Sequence, residues 1–318
     1  MSEVPVPPTS VRAQAEQSGN SLPGQTAGLA ESRRRGWSRE DRKNLAVWAL
    51  IGFLVPSLAP LGLYALFGEA GSALTLHREL PTKLITAFFM VLATWVVSRR
   101  EKRPLDDYGI PPRQAFRLRF WEGTIWGFGM LSAILCLLHV AGCFRIDSEL
   151  LTGTAAIRYA LGWGVAFLAV SISEEFAFRG YLLVVAARRI KFWRAAIALS
   201  LGFAAAHIPN PGENVIGILQ VFLIGMLFCF TIRRTGSLWF ALGFHAAWDW
   251  AETYFYGTPD SGLLGVGRLL NSSVGGPDWL TGASAGPEGS VIGLLVLLAC
   301  AVLIHYRFPS VRFPDQPD

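Results

Sequence analysis

Eight predominantly apolar stretches constrain this chain more than any other feature. They lie at about 45–67, 82–98, 121–143, 154–187, 195–208, 214–232, 237–256 and 290–306. A hydrocarbon core about 30 Å thick is crossed by about 20 apolar residues of helix. The backbone must satisfy its own hydrogen bonds there, so such runs fold as helices. The expected fold is therefore all-α, a polytopic transmembrane helix bundle of about eight spans. Only 16% of residues are charged, against roughly 25% in soluble domains. The 11 Trp and 21 Phe suit a protein with two membrane interfaces.

The chain divides into four parts. Residues 1–44 form a tail, rich in Pro, Ser, Gly and Gln and then basic, expected to be disordered and cytoplasmic. Residues 45–150 hold the first spans, 151–256 a polar-bearing core, and 257–318 a Gly- and Ser-rich loop, the last span and a short tail. A net charge of +5 does not imply nucleic acid here, because the basic residues sit between apolar runs. Cytoplasmic loops collect Lys and Arg. Of the 28, all but Arg78, Lys83, Arg145, Arg158, Arg179 and Arg268 fall on one side of an N-inside, eight-span order. Both termini are expected in the cytoplasm, and the basic stretch around Arg33–Lys43 reads first as a topology anchor, with contact to anionic lipid headgroups as the second reading. The four cysteines lie in apolar runs without a CxxC and read as packing residues. No segment reads as a cleavable signal peptide.

Ionisable side chains inside a bilayer cost about 2.5–3.5 kcal/mol each by insertion scales, so they mark function. Here they cluster in three spans: Glu174, Glu175 and Arg179; His207; and His245 with Asp249. Residues four apart share a helix face. Glu175 can therefore pair with Arg179, and His245 with Asp249. Glu174 is rotated by about 100° and faces elsewhere. At about 1.5 Å per residue, Glu174, His207, His245 and Asp249 fall in one slab, about 13–21 Å from the cytoplasmic helix ends. Glu252 lies one turn beyond Asp249, near the same stripe. His139 and His305 have no acidic neighbour and read as structural.

A carboxylate with two imidazoles suffices to activate water. Glu174, His207 and His245 could instead hold zinc with one open position. There is no HExxH helix. Two other readings use the same residues. One is a proton-coupled transporter, although no internal repeat is visible between the halves. The other is a non-catalytic membrane scaffold or protection factor.

Glu174-Glu175-x-x-x-Arg179, Phe203-x-x-x-His207 and His245-x-x-x-Asp249, in this order, resemble the CPBP family (CAAX protease/bacteriocin-processing, or Abi) of intramembrane proteases. The resemblance covers about residues 155–256. It implies a membrane endopeptidase acting on a peptide or membrane-protein substrate. Glu174 would be the water-activating base, with His207 working beside it on the water or a metal. His245 and Asp249 would form the oxyanion side, with Glu175 and Arg179 as the supporting pair. Asp249 stands where the CAAX-processing branch has Asn. The site is expected to open to the cytoplasm, in a bacterial inner membrane.

Overall fold

The computed structural model describes residues 38–57, 73–210 and 212–313. Residues 1–37 of the expected disordered tail, and the far end of the first apolar run, lie outside the described residues, whereas 39–44 are helical rather than disordered. Helix α1 (Arg39–Ala49) begins at a capping box, in which Ser38 accepts from the Asp41 amide and Asp41 accepts in return. It continues through a π-helical stretch, Leu50–Leu54, to Ser57. There follow β1 (Ala73–Leu74), α2 (Leu76–Glu101), α3 (Leu118–Val140) and β2 (Phe144–Glu149). The polar core comprises α4 (Gly153–Arg179), α5 (Tyr181–Ile190), α6 (Phe192–His207), α7 (Val215–Thr235) and α8 (Trp239–Asp249). A π-helical stretch, Trp250–Tyr256, extends α8. The chain closes with β3 (Leu264–Gly265), β4 (Leu270–Val274), the short α9 (Asp278–Thr281) and α10 (Val291–Arg307).

The fold is an all-α bundle and the chain is an integral membrane protein. Among the described residues, four helical segments are long and apolar enough to cross a bilayer: Leu76–Glu101, Leu118–Val140, Gly153–Ile190 and Val215–Thr235. The apolar runs at 195–208, 237–256 and 290–306 are also helical but shorter. Large apolar side chains face outward, among them Ile125 at 73% and Leu161 at 66% exposure. In water such a surface would aggregate, whereas lipid solvates it. The 257–289 connection is ordered. Its β4 pairs antiparallel with β2, and its β3 pairs parallel with β1. The four cysteines are free.

At the basic ends of the helices, Glu101 accepts from the hydroxyls of Tyr108 and Tyr181, each at 2.8 Å. Arg189 pairs with Asp41. These contacts tie α1, α2 and α5 together at one face.

Helices α3 and α8 approach closely because glycines line their contact. A Cβ on Gly123 would lie 2.0 Å from the Phe240 carbonyl oxygen, and one on Gly127 would lie 2.1 Å from that of Phe244. Small residues that let backbones meet are how membrane helices associate without a hydrophobic driving force. Because the obstacle is backbone, Gly127→Val must separate the helices, at a cost of about 2 kcal/mol or more. We expect a lowered melting temperature in detergent. Gly129→Ala, with nothing within 4 Å of the new Cβ, should leave it unchanged or slightly raised.

Candidate active site

Helix α4 delivers two adjacent carboxylates to different surroundings, as the 100° step per residue requires. Glu175 is fully buried and Arg179 is 1% exposed. The Arg179 guanidinium donates to Glu175 Oε1 at 2.9 Å, the pairing expected from their spacing. Arg179 also lies over the Phe203 ring, with Cζ 4.1 Å from its centroid. It thereby joins α4 to α6. The side chain of Glu174 is 30% exposed and lines a cavity of about 330 Å³.

Helix α8 supplies His245, which the three acids surround. Its Nδ1 donates to Glu175 Oε1 at 2.9 Å, the oxygen that also accepts from Arg179. Its Nε2 lies 3.7 Å from Glu174 and 3.4 Å from Asp249. The ring is thus oriented by Glu175 on one side and faces both remaining carboxylates on the other. From α6, His207 lines the same cavity. Its Nδ1 is 2.8 Å from the Phe203 carbonyl oxygen. A carbonyl can only accept, so Nδ1 carries the proton and Nε2 is left with the lone pair or a second proton.

All six residues singled out by sequence therefore converge. Glu174, His207, His245 and Asp249 border the cavity, while Glu175 and Arg179 lie behind them. His139 and His305 sit apart. His139 Nδ1 meets the Phe144 carbonyl oxygen at 2.9 Å, and His305 meets Arg234 at 3.0 Å.

Glu252 departs from the stripe it was expected to share. The helix changes to π-type after Asp249. The longer hydrogen-bond step shifts the register, and Glu252 is fully buried behind the cavity wall. Three cavity residues had no sequence signal: Gln220 on α7, and Asp260 and Glu288 in the 257–289 loop. The two acids lie outside any span, so their charge was unremarkable in sequence.

Among the described residues, no three His, Cys, Asp or Glu side chains gather so as to hold a metal. Both ring nitrogens of His245 face carboxylates, so Glu174, His207 and His245 do not form a zinc tripod in this arrangement.

The cavity also has a direction. Besides the polar cluster it is lined by Leu74, Glu79 and Lys83, at the start of α2, and by Asp260, Ser261 and Glu288. These lie at the helix ends opposite Arg99, Arg100, Arg188 and Arg233. The cavity therefore runs toward the helix ends opposite those basic residues.

A helix bundle with a buried Glu/His cluster reached by a cavity defines a class of membrane-embedded polar site. Residues 156–251 match the model of the family described as Type II CAAX prenyl endopeptidase Rce1-like, in accord with the CPBP resemblance. The matched segment contains all six residues. Comparison with curated proteins finds no match. The family is one of membrane endopeptidases, and the match supports intramembrane protease activity in general.

Proposed function

We propose that this chain hydrolyses peptide bonds of membrane-associated peptides or proteins with water activated by Glu174. One observation carries the reading: Glu174 faces the cavity as a carboxylate free of the Arg179 pair, with His245 beside it and His207 on the same wall. Residues 151–256 form the catalytic unit.

In this reading Glu174 takes a proton from water, whose oxygen adds to the scissile carbonyl carbon. His207, held by the Phe203 carbonyl, positions the water through Nε2. His245, fixed at Nδ1 by Glu175, presents Nε2 to the developing oxyanion, where its protonated form donates. Asp249 stabilises that protonated form. When the C–N bond breaks, Glu174 returns its proton to the leaving amine. Arg179 holds the Glu175 carboxylate in place, and so keeps His245 oriented.

The test is cleavage of a fluorogenic peptide library by detergent-purified protein and its Glu174→Gln variant. Cleavage lost in the variant supports the reading, and equal cleavage by both rejects it. A chelator should leave the rate unchanged, because each step above runs through side chains. A rate lost on chelation and restored by zinc would replace this mechanism with a metal-assisted one.

The orientation belongs to the same proposal, with both termini in the cytoplasm of a bacterial cell and the cavity opening on the far side of its inner membrane. Gly275 lies exposed at the end of β4, with nothing within 4 Å of an added Cβ. We expect Gly275→Cys, in a background lacking the exposed Cys136, to react in intact cells with a membrane-impermeant maleimide. Labelling only after lysis would invert the topology.

A further inference from the structure

The cavity wall is lopsided in charge. Apart from Glu174 and Asp249 it carries Glu79, Asp260 and Glu288, and Lys83 is the only Lys or Arg among the lining residues. Glu79 is paired with Arg78 at 3.5 Å, whereas Asp260 and Glu288 are in no ion pair among the described residues.

Both acids are held in place. Asp260 Oδ2 accepts from the Thr253 hydroxyl at 2.8 Å. Glu288 Oε1 accepts from the Ser261 amide at 2.7 Å and its hydroxyl at 2.9 Å. The second oxygen of each carboxyl has no protein hydrogen bond. Burial pushes both carboxyls above the usual carboxylate range, and Asp260 pushes Glu288 further. No Lys or Arg is paired with either acid among the described residues, and the cationic groups facing Asp260 are the imidazoles of His245 and His207.

An independent feature points the same way. Glu252 is fully buried and in no ion pair among the described residues, with only a weak contact from the Trp248 side chain to its carboxylate. Its charged neighbours are Glu288, Asp260 and Asp249. Gln220, 2% exposed and lining the same cavity, has an unpartnered side-chain oxygen. Buried polar groups are normally satisfied, and a cationic ligand among these acids would supply what they lack. The same cavity is also lined by aromatic side chains, Trp163, Phe167, Phe178 and Phe203.

We infer that the cavity selects peptides with a lysine or arginine beside the cleaved bond, its positive group seated between Asp260 and Glu288 and backed by Glu252. An apolar residue of the same peptide packs on the aromatic wall. The assignment rests on the peptidase reading, since Asp260 shares its cavity with Glu174, His207 and His245. Norleucine is the discriminating probe, because it keeps most of the lysine chain and removes the charge.

The experiment compares two fluorogenic peptides, identical except for lysine or norleucine at one flanking position, cleaved by the full-length protein in detergent. We expect kcat/KM to favour lysine at least tenfold. Asp260→Asn should cut that ratio several-fold, and its amide oxygen can still accept from Thr253, which protects the fold. Adding Glu288→Gln should bring the ratio near one. A wild-type ratio near one, with cleavage still lost in Glu174→Gln, overturns the inference and leaves the peptidase standing. If neither peptide is cleaved, the peptidase reading fails, and fluorescence anisotropy of the same labelled pair on the Glu174→Gln protein decides the inference. Tenfold tighter lysine binding that Asp260→Asn removes supports it, and equal binding overturns it.

Discussion

Glu174→Gln should lower kcat/KM by about 10²–10⁴-fold, the range over which a positioned general base acts. At the upper end this corresponds to about 5 kcal/mol of transition-state stabilisation. The substitution keeps the shape of the side chain and removes its ability to take a proton. Its effect on stability should be small, because Glu174 is part-exposed to the cavity and its one close charged contact is His245 Nε2 at 3.7 Å. A melting temperature near wild type, together with lost cleavage, separates a chemical role from a structural one. Glu175→Gln should behave differently. Glu175 Oε1 holds both Arg179 and His245, so its loss disturbs stability and rate together. If the two variants are indistinguishable in both measurements, the division of labour between the adjacent carboxylates is wrong.

Arg179→Met should destabilise the protein by about 3–5 kcal/mol, the cost of removing one partner from a buried ion pair. Both side chains of the pair are fully buried, so water cannot replace the lost partner. The methionine also forfeits the guanidinium's contact with the Phe203 ring. The double variant Arg179→Met/Glu175→Gln removes both charges, and should be more stable than Arg179→Met alone. A double-mutant cycle by thermal or denaturant unfolding in detergent reads this coupling. Additive losses would mean that the pair is not electrostatically coupled. The single variant should also lose activity beyond its loss of stability, since Arg179 no longer holds the Glu175 oxygen that fixes His245.

The zinc alternative and the acid–base reading use the same residues, and sequence could not separate them. The chelator test separates them; the observation that favours the acid–base reading is that carboxylates face both ring nitrogens of His245. An imidazole so placed is suited to carry a proton.

The sequence by itself determined the class of fold and the membership of the polar cluster. Apolar runs of bilayer length dictate helices, since no other backbone arrangement within a single run satisfies its own hydrogen bonds. Spacing within one helix dictated that Glu175 meets Arg179 and that Glu174 faces elsewhere, because helical geometry is local and periodic. The same reasoning failed at Glu252, where a π-helical stretch breaks the period. Only the tertiary structure decided that His245 shares one oxygen of Glu175 with Arg179, 70 residues away from its carboxylate partner in the chain. It alone brought Asp260 and Glu288 from a loop into the cavity that Glu174, His207 and His245 line. Contacts between helices depend on which small residues let backbones approach, as Gly123 and Gly127 do, and loop placement depends on strand pairing between β2 and β4. Both are non-local, and neither leaves a period in the sequence.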